Sequence, residues 1–324
     1  MPNPHTRVVK HADLSSLIEH VSAQPDSGIR SRAYRAAANG RLHRLVPGRF
    51  VTTDDWCTLD QGAQHRLLVH AAVKRMSSHD VVSHWSAAAL WGLPLIGRWP
   101  ERVHVTAAAG SHRRSTTMLV RHRRELASDV VRLNGVTVTS LAETVIDVAR
   151  VATFAQAVAM GDAVLWRAQH PRDAGGMPGL TLDELEQVWA DGREHRGIAR
   201  ARRMLDFIDG RANRPGESLA RVTMSELGVA EPVLQHPIVL PNGKHYELDF
   251  YFAQFDVGLD FDGRIKYLDP QFRDGRTADE VVYDEKIRED HVRSRLTGYG
   301  RCDWGVAGSA PQLGAMLRRI GVRW

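Results

Sequence analysis

The sequence predicts a protein of mixed α and β structure (α/β, in an α+β arrangement), and three observations support this fold class. Apolar residues recur at helical spacing in several segments, which favours amphipathic helices. Other segments alternate apolar and polar residues, which is typical of half-buried strands. The last third of the chain orders its segments as α-β-β-β-α-β-α, so we expect one sheet with helices packed against it.

Length and composition set the number of domains and exclude several classes of protein. At about 150 residues per domain, a chain of 324 residues predicts two or three domains. No stretch approaches the roughly 18 uninterrupted apolar residues of a membrane span, and residues 1–11 lack the apolar core of a secretory signal. Two cysteines, Cys57 and Cys302, are too few for a disulfide framework. We therefore expect a cytoplasmic protein without a membrane partner.

Turn-rich segments predict the domain boundaries. The expected parts are a DNA-binding module at 1–55, an α/β domain at 56–170, a helical linker at 171–212 and a C-terminal domain at 213–324.

The first module combines helices with a basic hairpin. Apolar spacing predicts helices at 13–22 and 29–38, and residues 42–52 alternate apolar and basic side chains around a Pro-Gly turn. This order is typical of winged helix-turn-helix domains, in which a basic helix enters the major groove and the hairpin contacts phosphates. We therefore predict a winged-helix-like module, and a small helical cap on the next domain is the alternative. The expected DNA-binding residues are Arg30, Arg32, Arg35, Arg44 and Arg49.

Charge is distributed unevenly along the chain. Residues 1–130 carry 18 Lys and Arg against 10 Asp and Glu, whereas residues 216–324 carry 14 against 17. A basic front and an acidic back indicate that the N-terminal part faces nucleic acid. Arginine outnumbers lysine 38 to 5, so a GC-rich genome is the alternative origin of the basic bias.

The central part predicts a second domain of mixed α and β structure. Ser83 is expected to cap a short helix that ends at Gly92 and Pro94. His84 lies beside an apolar run, which favours a packing role over a catalytic one. The other predicted elements are a helix at 62–76, strands at 102–106, 117–122 and 136–139, and helices at 140–150 and 153–167.

Carboxylates on successive strands are the strongest chemical signal. Asp249 and Asp260 fall on two strands of a predicted hairpin, and neighbouring strands lie about 4.8 Å apart. Asp262 shares a strand face with Asp260, and Glu217 lies on the preceding helix. Converging carboxylates repel one another unless a hard cation lies between them. We therefore predict that Asp249 and Asp260 bind Mg²⁺ or Mn²⁺, with Asp262 and Glu217 completing a catalytic site for phosphodiester hydrolysis.

This last unit resembles the restriction-endonuclease-like (PD-(D/E)xK) nucleases, in particular the compact branch similar to very-short-patch-repair endonucleases. In that branch a helix acid and a strand Asp precede Glu-x-Asp-Gly-x-x-His; Glu217, Asp249 and residues 260–266 match this pattern here. The resemblance implies a metal-dependent nuclease of αβββαβα order. Asp260 replaces the Glu of the pattern, and Lys266 replaces its His. Because lysine is a poor general base at neutral pH, Lys266 is expected to contact phosphate or orient water.

The front half is similar to a different family. Residues 13–53 and the stretch at 83–94 resemble the AbiEi-type antitoxin proteins, in which a winged helix-turn-helix precedes an α/β domain. The resemblance implies DNA as partner, with a toxin-gene operator of a type IV toxin–antitoxin system as one candidate target. Two functions therefore stay open: a DNA-binding protein with a metal-dependent endonuclease domain, and a non-catalytic repressor whose nuclease-like domain only binds. The sequence carries no signal for the oligomeric state.

Overall fold

A computed structural model describes residues 14–20, 27–124, 130–192, 194–212, 214–240, 243–263 and 278–324. The protein is of mixed α and β structure and contains three sheets, at least two of which combine parallel and antiparallel pairs. The strands are β1 (Glu19–His20), β2 (Leu42–Val46), β3 (Arg49–Thr52), β4 (Val81–Val82), β5 (Val103–Ala107), β6 (Leu119–Arg123), β7 (Val130–Leu133), β8 (Val136–Thr139), β9 (Val233–Val239), β10 (His245–Phe252), β11 (Val257–Phe261) and β12 (Gly298–Cys302).

Twelve α-helices occur in the described residues. They are α1 (Ser27–Ala38), α2 (Thr53–Thr58), α3 (Gln61–Val73), α4 (His84–Leu90), α5 (Leu141–Val151), α6 (Phe154–Gln169), α7 (Leu182–Asp191), α8 (Ile198–Leu205), α9 (Pro215–Glu226), α10 (Ala278–Arg293), α11 (Trp304–Ala307) and α12 (Ala310–Ile320). Within the described ranges, none of these helices has the length and apolar character needed to cross a membrane.

The chain forms two compact units, and each unit is built from two separate stretches of sequence. Unit 1 comprises Met1–Val151 and Leu182–Ala199, and unit 2 comprises Ala152–Thr181 and Arg200–Trp324. The polypeptide therefore passes from one unit to the other three times. Helix α7 belongs to unit 1, where it packs on α5, and helix α6 belongs to unit 2, where it packs on α9.

A three-stranded sheet in the order β1-β3-β2 forms the N-terminal part of unit 1. The predicted helix at 29–38 and the predicted hairpin are confirmed as α1 and β2–β3. The predicted helix at 13–22 is wrong: Ser15–Leu17 is a short 3₁₀ turn, and β1 pairs with β3. The exposed edge of β3 offers unpaired backbone groups, and pairing with them outweighs the helical spacing of the apolar residues.

The second sheet of unit 1 has the order β6-β5-β4-β8-β7 and mixes parallel and antiparallel pairs. Helix α4 is confirmed at the predicted position, but the Ser83 hydroxyl makes no capping bond to the helix backbone. That hydroxyl instead lies 2.9 Å from Nδ1 of His84. Buried aliphatic side chains such as Leu67, Val105 and Val138 form one apolar core below the helices.

Unit 2 contains the predicted α-β-β-β-α-β-α order, with the four-residue helix α11 added between β12 and α12. Its sheet has the order β12-β11-β10-β9, in which only β11 and β12 run parallel. Helices α9 and α12 pack against a core that includes Phe250, Leu259 and Leu313. Gly216 allows a close approach at this core, because a Cβ at this position would lie 2.0 Å from Cζ of Phe261.

A buried ion pair fixes α9 against α6. Arg221 of α9 lies 3.0 Å from Oδ2 of Asp162 in α6, and both side chains are nearly inaccessible to solvent. The Ser218 hydroxyl donates to the same oxygen at 2.7 Å, and the backbone N–H of Asp209 donates to Oδ1. This network holds the first turns of α9 in place, and Glu217 lies within them.

Candidate functional site

Two carboxylates lie where the regular pairing between β10 and β11 ends. The last regular pair is Phe250 with Leu259, and Asp249 and Asp260 come directly after it. Oδ2 of Asp249 accepts a hydrogen bond from the backbone N–H of Phe261 at 2.7 Å. Oδ1 of Asp260 accepts one from the backbone N–H of Asp249 at 3.1 Å. Each carboxylate thus accepts a hydrogen bond from a backbone N–H of the neighbouring strand, at the point where the regular pairing ends. These bonds place the two carboxylates close together, as predicted.

Asp260 is buried and receives two further hydrogen bonds. The hydroxyls of Tyr246 and Tyr299 both donate to its Oδ2, at 2.6 and 2.5 Å. Burial and the Asp260 carboxylate raise the pKa of both tyrosines, so both hydroxyls stay protonated and act as donors. The charge of Asp260 is therefore already stabilised by three donors from the protein.

Gln235 joins Asp249 to Glu217. Its side-chain amide nitrogen lies 3.3 Å from Oδ1 of Asp249 and 3.3 Å from Oε2 of Glu217. Glu217 is only 1% exposed. Burial, followed by the charge of Asp260, raises the pKa of Asp249 to about 6. Three acids from α9, β10 and β11 therefore share a single small region of unit 2.

Gln235 is a residue that motif analysis missed. It lies in the middle of β9 with a positive φ of 48°, and the pairs Leu248–His236 and Phe250–Leu234 on either side place it opposite Asp249. The sequence signal that could have placed it is the Asn-Gly dipeptide between β9 and β10, because Asn-Gly favours a hairpin turn and such a turn sets the register of its two strands.

The remaining predicted site residues lie elsewhere or outside the described ranges. Asp262 pairs with Arg301 at 3.2 Å, and Arg301 also lies 3.6 Å from Glu289. The structure thus pairs Asp262 with an arginine and does not join it to the other three acids. Lys266 lies outside the described residues. Across the described parts of the chain, no group of three or more His, Cys, Asp or Glu side chains is arranged to hold a metal ion.

The chemistry of Glu217, Asp249 and Asp260 is compatible with a hard divalent cation. All three supply carboxylate oxygens, which Mg²⁺ and Mn²⁺ prefer. Burial is the main cause of the raised pKa of Asp249 and the charge of Asp260 is the second, and a cation would offset both effects. The two tyrosine hydroxyls on Oδ2 of Asp260 oppose this fit, because they occupy an oxygen that would otherwise face a metal.

The predicted DNA-binding arginines separate into an exposed and a buried group. Arg30, Arg32 and Arg35 are all exposed on α1, and we call these three residues the α1 arginines. Arg44 on β2 is exposed as well. Arg49 is 7% exposed, and its guanidinium lies 3.4 Å from the backbone carbonyl of His70. Arg49 therefore points into unit 1 and away from the exposed basic surface.

A buried polar cluster in unit 1 contains His84. This residue has a positive φ of 52°, and its ring stacks on His122 at 3.5 Å between centroids. Nδ1 of His104 lies 2.9 Å from Nε2 of His122, and Nδ1 of His84 lies 3.7 Å from Oδ2 of Asp147. Burial lowers the pKa of His104 to about 3 and that of His122 to about 4. His84 is thus buried among polar and charged groups.

Two arginines balance the acids of this cluster. Arg124 pairs with Glu143 at 2.6 Å and with Asp147 at 2.9 Å, and Arg150 pairs with Asp147 at 3.2 Å. Burial raises the pKa of Asp147 to about 6 despite these partners. The neutral rings of the cluster therefore lie against an internal network of ion pairs.

No protein-family model matches the chain. Two uncharacterized proteins of Mycobacterium tuberculosis, MT2308 of strain CDC 1551 and Rv2248 of strain H37Rv, are each 31% identical to it over 187 residues. The match covers 58% of this chain and 64% of each relative, which is less than two thirds of their length.

Proposed function

We propose that this chain is a DNA-binding protein whose unit 2 is a restriction-endonuclease-like domain that hydrolyses DNA phosphodiester bonds with Mg²⁺ or Mn²⁺. The observation that carries the proposal is the set of hydrogen bonds that joins Glu217, Gln235, Asp249 and Asp260. The element order from α9 to α12 around the sheet supports the same nuclease class.

Each residue of this set has a separate role in the proposal. Asp249 and Asp260 hold the cation, and Glu217 completes the negative surroundings from α9. Gln235 orients the two carboxylates that its amide contacts. A bound divalent cation would lower the pKa of a water molecule and stabilise charge on the phosphate. Lys266 would contact phosphate or orient the attacking water.

DNA would be held by the α1 arginines together with Arg44. Exposed guanidiniums bind phosphate oxygens without regard to sequence and displace counterions. The proposed DNA contact of unit 1 is therefore electrostatic, and its affinity falls as salt is raised.

A non-catalytic repressor is the second candidate, and specific contacts favour it. The hydroxyls of Tyr246 and Tyr299 occupy one oxygen of Asp260, and Arg301 neutralises Asp262. A domain with these pairings can keep the nuclease fold without binding a metal. In this case the chain binds DNA, with a toxin-gene operator as one target, and leaves it intact.

The deciding experiment measures cleavage of duplex, mismatched and single-stranded DNA by the full chain with Mg²⁺, with Mn²⁺ and with a chelator. The nuclease proposal expects metal-dependent cleavage that Asp249→Asn and Glu217→Gln abolish. The matched controls are Glu247→Gln on β10 and Glu226→Gln on α9, which change exposed acids and should cleave normally. DNA binding without cleavage under all conditions would favour the repressor. Full cleavage by Asp249→Asn would overturn the proposed site.

A further inference from the structure

Unit 1 contains a cavity that involves no residue of the carboxylate site. Its volume is about 460 Å³, which falls within the range of about 300–1,000 Å³ typical of small-molecule sites. Side chains from β2, α2 and α3 and from the segment at 98–101 line it. The cavity therefore lies between the hairpin of β2 and β3 and the central part of unit 1.

Two indole rings line this cavity, and a histidine supports each of them. The ring of His43 stacks on Trp56 with 4.0 Å between centroids and 10° between planes. His65 stacks on Trp99 at 5.4 Å and 19°. His65 is buried, and its Nε2 lies 2.9 Å from the hydroxyl oxygen of Ser86. These contacts fix two flat surfaces, and such surfaces favour stacking of another planar ring.

Positive charge at the cavity comes from arginine and not from histidine. Burial lowers the pKa of His43 and lowers that of His65 to about 4, so both rings are neutral at pH 7. Arg44 and Arg98 line the cavity and are exposed. Within the described residues, Arg98 makes no hydrogen bond or ion pair. Since Glu101 supplies the cavity with one carboxylate against two guanidiniums, an anionic group is favoured there.

We propose that this cavity binds a nucleotide with an unpaired base. The base stacks on Trp56 or Trp99, and the phosphate pairs with Arg44 and Arg98. The side-chain amide of Gln61, which also lines the cavity, supplies a donor and an acceptor for the edge of the base. The nucleotide is either a free effector molecule or part of an unpaired DNA strand.

A second cavity bears on the source of the nucleotide. Its volume is about 540 Å³, and it shares Pro100 and Glu101 with the first cavity. It is also lined by Arg102. An unpaired strand that enters the first cavity therefore has room for a neighbouring nucleotide beside a further guanidinium.

The test is a calorimetric titration of the full chain with deoxynucleoside 5′-monophosphates and, separately, with a short single-stranded oligodeoxynucleotide. We expect at least one of these probes to bind with a Kd below about 1 mM. Arg98→Ala should weaken that binding about tenfold, because it removes a charged hydrogen-bond donor to phosphate. At least one of Trp56→Leu and Trp99→Leu should weaken it through loss of the stacking surface, with circular dichroism confirming that both variants fold. The matched control is Arg132→Ala, which removes an exposed arginine on β7 and should bind normally.

The two probes separate the two sources. Binding of the oligonucleotide more than about tenfold tighter than the monophosphates would assign the cavity to an unpaired strand, and the reverse order would assign it to a free nucleotide. The proposal is overturned if no probe binds at about 1 mM. It is overturned equally if Arg98→Ala and Arg132→Ala bind alike, since binding would then occur elsewhere on the protein.

Discussion

The hydroxyl of Tyr246 donates a hydrogen bond to Oδ2 of Asp260 across 2.6 Å, from the strand next to it in the sheet. Tyr299 reaches the same oxygen from the strand on the other side. Asp260 is thus held between two hydroxyls by the sheet order β12-β11-β10, whereas Asp249 has the more adaptable amide of Gln235 as its side-chain partner. The two acids of one proposed site therefore differ in how firmly the protein fixes them.

The first prediction concerns this hydroxyl pair. Tyr246→Phe should lower the free energy of unfolding by about 1–3 kcal/mol, because a buried hydrogen bond to a charged group is removed. Tyr251→Phe is the comparison, since it removes the bond from a tyrosine to the more accessible Asp256 and should cost less. Urea denaturation of both variants measures the difference. Equal destabilisation would mean that Tyr246 does not stabilise a buried charge.

The second prediction is a pH dependence of unit 1. Burial holds the pKa of His65 and His122 near 4 and that of His104 near 3, below the usual 6.5. Below pH 6.5 the unfolded chain takes up protons that these folded rings do not, so their contribution lowers stability as the pH falls from about 6.5 to about 4. The raised pKa values of Asp147, Asp162 and Asp249, each about 6, act in the opposite direction below about pH 6. Each such histidine contributes about 1.4 kcal/mol per pH unit in that range, and less where solvent reaches the ring. Urea titrations at several pH values measure the slope.

A pair of variants assigns that slope. His122→Asn should make the dependence shallower by about one proton, because one titrating ring is removed. His79→Asn changes an exposed histidine and should leave the slope unchanged. An identical profile for the wild-type chain and His122→Asn would contradict the burial of His122 in neutral form.

The third prediction concerns the contact between α9 and the sheet. Gly216→Ala would place a Cβ 2.0 Å from Cζ of Phe261, so the ring or the helix must move. Overpacking of this kind costs about 1–3 kcal/mol, and the displacement should also reduce any activity that depends on Glu217. Gly263→Ala is the control, because its Cβ would meet Phe261 only at 3.9 Å. Thermal unfolding and the cleavage assay together test the prediction, and normal behaviour of Gly216→Ala would contradict the close packing.

The fourth prediction separates the two groups of arginines. Arg32→Ala, which removes one of the α1 arginines, should weaken DNA binding and reduce the slope of log K against log salt by about 0.9 for each phosphate that the variant no longer neutralises. Arg49→Ala should leave that slope unchanged and instead destabilise unit 1 by about 1 kcal/mol, because the buried bond to His70 is absent from the variant. DNA binding measured at several salt concentrations tests both outcomes. An unchanged slope for Arg32→Ala would remove α1 from the proposed DNA-binding surface.

Local patterns predicted most of the helices and strands. The hairpin of β2 and β3, the helix at α1 and the αβββαβα order of unit 2 all follow from spacing and turn residues. The segment at 13–22, which was predicted to be helical, shows the limit of local patterns, because β1 forms by pairing with the edge of β3. Pairing between strands that are far apart in the sequence produces no local periodicity from which β1 could be predicted.

The candidate site was predictable in its acids and not in their neighbours. Asp249, Asp260 and Glu217 follow from motif spacing, and the structure brings them together. The pairing of Tyr299 with Asp260 depends on the parallel pairing of β11 with β12, which leaves no signal in the intervening sequence. The ion pairs around His84 likewise join strands and helices far apart in the chain, so the sequence around His84 alone suggests a packing residue.

The interleaving of the two units has a consequence for how the chain is made. Helix α6 is translated before the later stretch of unit 2. Its Asp162 therefore cannot pair with Arg221 until α9 has been synthesised. Unit 1 in turn lacks α7 until the first stretch of unit 2, which contains α6, has been translated. Neither unit is finished when its first stretch has been translated, and a fragment cut at the start of α9 would leave the buried charge of Arg221 without its acid. Unit 1 can therefore be completed once residue 199 has been translated, whereas unit 2 also needs the residues that follow.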